Sequence, residues 1–384
     1  MNRITTEVPF HRRTRASHEA AYVAEALSGD RLCAGNVFNR QCESWLQTHL
    51  PVTRALLTHS CTNALEIAAI LARLQPGDEV IMPTFTFTST ANAFALRGAV
   101  PVFVDIQPDT FNLCPHAAEQ AITPRTRAIV PVHYAGIACD MDAIMALAEA
   151  HHLTVIEDAA QGFGAAHHGR PLGSIGHLGT YSFHHSKTIS CGEGGALLLN
   201  SPEHVARAEV LLDKGTNRKL HQAGSIAQYS WVDLGLSAPP SAMQAACLLA
   251  QLEESTSLLQ RYRAVWSTWH AALADTEQAG LLRRPHLPPD IQHNGHIYAV
   301  LLPDAAKREA LASALQALGI QTARHYYPLH LSEAGRRLGR SAGSLRQAED
   351  INERLLRLPV YPELPSWLPE QVTRLVKQVF SDAV

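Results

Sequence analysis

From about Thr53 to Leu212 the chain alternates short apolar runs with stretches whose apolar residues recur at helical spacing. Strands separated by a helix's length of chain cannot be joined by tight hairpins. They need crossovers, and crossovers make a mainly parallel sheet covered by helices on both faces. Residues 54–57 read as the first strand. Ile67, Ile70, Leu71 and Leu74 follow at i, i+3, i+4 and i+7, which puts one apolar face on a helix, and Asn63 with Glu66 resembles a capping pair at its start. The turn Gln75-Pro76-Gly77-Asp78 ends that helix. Residues 79–82, 100–105, 128–133, 153–157, 179–183 and 195–200 read as further strands, with helices over 142–150 and 205–212. The expected fold class is α/β, with a large domain built on a mainly parallel seven-stranded sheet.

Beyond about Ala250 the character changes to long helical stretches, with an isolated strand over 298–302, a helix over 305–318, and Ala348, Ile351 and Leu355 at helical spacing. No Gly/Ser linker marks the change. The expected division is a large domain over 1–250 and a smaller α+β domain over 251–384. With 46% hydrophobic and 17% charged residues the chain can bury a large core. Its 32 basic and 35 acidic residues leave a net charge of -3, which argues against a phosphate-backbone binder, so no nucleic-acid partner is expected. No run approaches the roughly 20 apolar residues that span a bilayer, and residues 1–15 lack an apolar signal core; the expectation is a cytoplasmic protein with no membrane partner. Seven cysteines without a CxxC pair and 21 scattered histidines without HExxH spacing suggest neither a disulfide framework nor a metal site.

Four segments carry chemistry. Ser182-Phe183-His184-His185-Ser186-Lys187, followed by Gly192-Glu193-Gly194-Gly195, puts a lysine just past a buried strand beside a glycine-rich stretch, a candidate Schiff-base nucleophile. Taken alone, such a lysine is more often solvated in a polar loop. Val155-Ile156-Glu157-Asp158-Ala159-Ala160-Gln161 places two acids at the carboxyl end of an apolar strand, where open α/β sheets bind ligands, and only one of the two can face a given pocket. A pyridoxal phosphate needs such a carboxylate against its pyridine nitrogen. Thr58-His59-Ser60-Cys61-Thr62-Asn63 opens the first helix of the sheet region, and unpaired amides at a helix start suit a phosphate. Pro83-Thr84-Phe85-Thr86-Phe87-Thr88 follows the next strand and offers aromatic faces, although an aromatic there is more often core.

Anchor, aromatic, acid and lysine in this order resemble the fold-type I PLP-dependent aminotransferases, and within them the sugar-nucleotide aminotransferases, over nearly the whole chain. The resemblance implies that Lys187 carries pyridoxal 5'-phosphate, Asp158 meets the pyridine nitrogen, Gln161 lies on the ring-hydroxyl side and Phe87 stacks on the ring. It further implies that Ser182, Cys61 and Thr62 hold the phosphate, and that the enzyme is a homodimer.

Leu32 to Gly35, Phe38 to Cys42, Pro131 to Ala138, Lys214 to Arg218 and His325-Tyr326-Tyr327-Pro328-Leu329-His330 resemble the branch that makes dTDP-4-amino-4,6-dideoxygalactose. That branch moves the amino group of L-glutamate to C4 of dTDP-4-dehydro-6-deoxyglucose. The resemblance implies a sugar site that involves Cys33, Gly35, Tyr327 and His330, with residues 1–50 contributing, and a role in lipopolysaccharide, enterobacterial common antigen or O-antigen formation. Ser237-Ala238-Pro239-Pro240-Ser241 departs from the branch, and the Asn-x-Arg common in the wider family is missing nearby. The same chemistry on another keto sugar, or to the epimeric amine, is the first alternative, and an inactive regulator on the same fold a second. Dehydratase relatives have histidine in place of the lysine, and Lys187 argues against them.

Overall fold

The computed structural model describes residues 7–381. Two N-terminal helices, α1 (Glu19–Ser28) and α2 (Val37–His49), lead into strand β1 (Arg54–Thr58) and helix α3 (Cys61–Leu71). Strands β2 (Glu79–Pro83), β3 (Val100–Val104), β4 (Thr126–Ile129) and β5 (Thr154–Asp158) follow, separated by helices, and the strands Leu178–Ser182 and Gly195–Leu199 complete the region. The sheet order is β1, Gly195–Leu199, Leu178–Ser182, β5, β4, β2, β3 and then a two-residue strand, Arg340–Ser341. All neighbours in it run parallel except at Gly195–Leu199, which is antiparallel to both of its partners.

The sheet therefore has eight strands against the seven expected. The extra edge strand comes from far along the chain, pairing Arg340 with Val102 and Ser341 with Phe103, and two residues carry no apolar periodicity to betray it. Both sheet faces are buried. Ala55, Leu57, Ile81 and Val102 pack on one side and Leu56, Val80, Met82 and Phe103 on the other, as the period-2 alternation of a strand requires.

The expected strand over 298–302 is not isolated. Tyr298–Leu301 pairs antiparallel with Leu355–Leu358, so Leu355, which fits a helical period with Ala348 and Ile351, instead opens a strand directly after the helix Arg346–Arg354. Trp266, Trp269, Leu311 and Val372 bury this ribbon under three helices, and Val8 joins the same cluster through amide bonds with Gly319 and Gln321. The start of α3 also differs in detail. Its cap is Ser60, whose hydroxyl accepts from the Asn63 amide, while Asn63 and Glu66 pair with each other one turn inside.

The register matters for function. Thr58 and Ser182 both lie opposite Gly195, and Asp158 lies opposite Thr180, so three parallel strands end side by side where the antiparallel strand begins. That line is the carboxyl edge of the sheet, where open α/β folds hold ligands.

Candidate active site

A cavity of about 530 Å³ opens at this edge, and Cys61, Asp158, Gln161, Ser182 and Lys187 line it together. Thr62 and Phe87 line it as well, so all seven cofactor residues read from the sequence converge on one space.

Of the two acids that end β5, Asp158 faces the cavity and Glu157 the opposite side of the sheet. The Thr90 hydroxyl donates to Asp158 Oδ2 at 2.7 Å and the Ala160 amide to Oδ1 at 3.1 Å, while Thr86 backs Thr90 at 2.8 Å. These fixed donors aim a buried carboxylate. Glu157 is fully buried and spoken for: the amides of Gly173, Ile175 and Gly176 donate to it at 2.6–2.8 Å, and His133 Nε2 lies 2.9 Å away. Gln161 is clamped at both ends, accepting from the Ala135 amide at 2.7 Å and donating to the Tyr326 hydroxyl at 2.9 Å.

Lys187 is half-buried, and its backbone amide donates to the His184 carbonyl at 2.9 Å. Burial pushes its amine down from the usual lysine value to about 8; the Asp158 carboxylate pulls the other way, and the Arg357 guanidinium adds to the fall. A lysine so placed is partly neutral, as a carbonyl-capturing amine must be.

At the cavity's other end α3 begins. Its first amides, at Cys61 and Thr62, have no carbonyl one turn earlier to bond. Gly195 lets the neighbouring strand approach them: a Cβ there would lie 2.4 Å from the Cys61 nitrogen. Burial pushes the Cys61 thiol far up, so it stays protonated and leaves the anion site uncharged. An anion cradle, a fixed carboxylate and a depressed amine around one cavity fit a flat ring that carries a phosphate at one side and an aldehyde at the other. Phe87 is 57% exposed, unlike the buried Phe85, and its ring lies 6.2 Å from that of Tyr326. It is the aromatic free to cover such a ring.

The four residues read as sugar contacts do not line this cavity. Cys33 and Gly35 sit in the exposed loop before α2, and Tyr327 is exposed while its neighbour Tyr326 points inward. His330 has both ring nitrogens engaged, with Thr84 at 2.7 Å and Glu349 at 3.0 Å. Conversely, Thr90, His296, Tyr326 and Arg357 are residues of the site or its support that went unread. Tyr326 belongs to a motif that drew attention, displaced by one position. Arg357 left a trace, a lone charge in Leu355-Leu356-Arg357-Leu358, whereas His296 left none.

The sequence pattern of the DegT/DnrJ/EryC1/StrS aminotransferase family matches residues 14–380. The chain belongs to this family. Like other DegT/DnrJ/EryC1/StrS aminotransferases it is a fold-type I sugar aminotransferase, and its cofactor is pyridoxal 5'-phosphate. It is 32% identical to the GDP-perosamine synthase of Caulobacter vibrioides, over 94% of this chain and 95% of that one. It is 34% identical to the dTDP-3-amino-3,4,6-trideoxy-alpha-D-glucose transaminase of Streptomyces venezuelae, over 94% and 93%. The PMP form of Spr1654 of Streptococcus pneumoniae superposes with a TM-score of 0.90 at 25% identity, over 98% of this chain and all of that one. Among the described residues no helix is long and apolar enough to cross a membrane.

Proposed function

We propose that the protein transfers the amino group of L-glutamate to C4 of dTDP-4-dehydro-6-deoxy-D-glucose, giving dTDP-4-amino-4,6-dideoxy-D-galactose and 2-oxoglutarate, a step toward surface polysaccharide. The observation that carries the aminotransferase part is the convergence of Lys187, Asp158 and Gln161 on one cavity beside an anion-binding helix start. The long runs shared with the dTDP-4-amino-4,6-dideoxygalactose branch carry the choice of sugar.

Bound pyridoxal phosphate supplies a carbonyl to capture amines and a ring to take up electrons. The chain supplies the rest. Lys187 would hold the cofactor through Nζ, and its amine would serve as general base and acid, taking the proton from the amino donor's Cα and delivering a proton to C4 of the keto sugar. Asp158 would keep the pyridine nitrogen protonated, and Thr90 and Ala160 hold Asp158 in place. Gln161 would stand on the ring-hydroxyl side, Phe87 would cover the ring, and Ser182 with the Cys61 and Thr62 amides would take the phosphate.

The proposed division puts these groups in the domain over 1–250, with 251–384 as the second domain. Leu220, Tyr229, Trp231, Val232 and Leu234 expose large apolar area within one segment, which supports a homodimer. In that reading Cys33, Gly35 and Tyr327 meet the sugar at the rim or across the subunit boundary, and His330 positions the loop that carries them.

The test is the visible band of the purified holoenzyme, recorded before and after glutamate and again after the keto sugar, with Lys187→Ala in parallel. Glutamate is expected to bleach the band and the sugar to restore it, with neither change in the variant. A band that glutamate bleaches but this sugar leaves bleached overturns the choice of sugar and keeps the chemistry.

A further inference from the structure

One cluster of ligating side chains lies outside the site described above. Asp142 stands in the first turn of the helix Met141–His151, and His167 and His168 in the hairpin that joins the strands Ala166–His167 and Arg170–Pro171. One nitrogen from each imidazole and one carboxylate oxygen of Asp142 lie within 4.8 Å of one another. None of the three residues lines the active-site cavity.

The backbone explains how two adjacent histidines come to share a ligand set. Neighbouring residues of a strand point to opposite faces, so in extended chain the two rings would diverge. Here His167 pairs with Arg170 across the hairpin, which leaves His168 and Gly169 as a two-residue loop with φ of 49° and 75°. That turn brings the His168 ring beside His167, with the centroids 4.2 Å apart. The hairpin is also braced from behind, because His167 pairs with Ile291 and the His168 amide donates to the Asp290 carbonyl at 3.1 Å. A carboxylate from an earlier helix and two histidines from a tight turn have no motif spacing, so the absence of HExxH says nothing against them.

Asp142 is already oriented. Arg170 Nη2 donates to its Oδ1 at 2.7 Å, leaving Oδ2 toward His168 Nε2 at 3.6 Å. That gap is too long for a hydrogen bond and close to the roughly 3.4 Å between two donors held about 2.1 Å from a tetrahedral zinc. Asp142 and His168 by themselves would be an ordinary exposed pair. His167 is not ordinary: it is only 6% exposed, and its Nδ1 is shut off from water with no hydrogen-bond partner. A buried imidazole left unbonded is costly unless a ligand completes the ring. The charges that face His167 are Asp140, Asp142 and Arg170, so with neutral imidazoles the patch is net negative and suits a cation.

We propose that Asp142, His167 and His168 form a binding site for a divalent transition cation of the zinc class. Asp142 Oδ2 and one nitrogen of each imidazole are its ligands, and water fills the remaining position. Two imidazoles in a set of three select zinc or its neighbours over magnesium or calcium, which take oxygen donors. The arginine on the other carboxylate oxygen is the kind of outer hydrogen bond that fixes a metal-binding side chain. The cation ties the hairpin to the helix, a structural task separate from amino transfer.

The test titrates zinc chloride into chelator-treated holoenzyme of wild type, His167→Gln and His168→Asn. Asparagine is chosen at His168 because it tolerates left-handed backbone. Calorimetry is expected to give one zinc per chain in wild type and binding at least about 100-fold weaker in either variant. X-ray absorption at the zinc edge is expected to show nitrogen and oxygen donors at about 2.0–2.1 Å, imidazole scattering, and no sulfur near 2.3 Å. Zinc at a hundredfold excess over its Kd should raise the unfolding midpoint of wild type by about 2–4 °C and leave both variants unmoved. Amino transfer is expected to stay within about 2-fold of wild type in both. A sulfur shell would send the zinc to a cysteine, equal binding by wild type and variants would send it to other side chains, and no binding by wild type would leave no site; each overturns the proposal.

Discussion

A single proton decides how Lys187 works. With the amine held at about 8, about a quarter of the side chains are neutral at pH 7.5, against roughly one in a thousand for an ordinary lysine near 10.5. Cofactor capture by the cofactor-free protein is therefore expected to accelerate through pH 8 and level off by about pH 9. Stopped-flow growth of the visible band against pH measures this, and a midpoint near the ordinary lysine value would contradict the depressed amine. Asp158 gives a second prediction. Asp158→Asn keeps the size of the side chain and its contact with Thr90, so cofactor should still bind, but it cannot hold the pyridine proton electrostatically. A fall in turnover of more than about 100-fold is expected, with the visible band retained. Undiminished turnover would remove Asp158 from the reaction.

At the scale of elements, Glu79 fastens the first residue of β2 to the late edge strand. Arg340 donates to both of its oxygens at 2.9 and 2.7 Å, and Arg125 and Thr123 add bonds of 2.6 and 2.7 Å. The Arg340 hydrogen bond, working against burial and helped by Thr123 and the charges of both arginines, holds the Glu79 carboxyl at about 2 rather than 4.5. A carboxyl lowered on folding stabilises fully above its unfolded value and loses that contribution as pH falls from about 4.5 toward 2. Glu79→Gln is expected to cost about 2–3 kcal/mol at pH 7, and the gap between wild type and variant should close near pH 2 in urea titrations. A gap independent of pH would show that shape and not charge is at stake.

The alternation of apolar runs was enough to read the seven long strands and their crossovers, because each carries its own period. It was not enough for Arg340–Ser341, whose membership of the sheet rests on Glu79, Val102 and Phe103, far away in the chain. The same contrast holds in the site. Lys187, Asp158, Gln161 and Cys61 sit in motifs tied to strand and helix ends and were legible. Arg357 and His296 reach the cavity only because a ribbon from the chain's last third packs over it. The Tyr326 and Tyr327 pair shows the finer limit: a motif names a place on the chain, and only the backbone decides which of two neighbouring side chains turns inward.

For the whole molecule, the exposed segment Leu220 to Leu234 is where assembly should show. Trp231 is 76% exposed, far more than a lone indole gains from water. Light scattering of the purified protein is expected to give twice the chain mass of 41.9 kDa, and Trp231→Glu to lower it toward one chain. A fully active monomer would overturn the dimer. The clasp of Val8 between Gly319 and Gln321 has a consequence in time. During synthesis that short N-terminal stretch leaves the ribosome some 300 residues before its partners, which at 5–20 residues per second is a wait of roughly 15–60 s. The large sheet can take shape in that interval, yet Val8 is among the last residues to find its place.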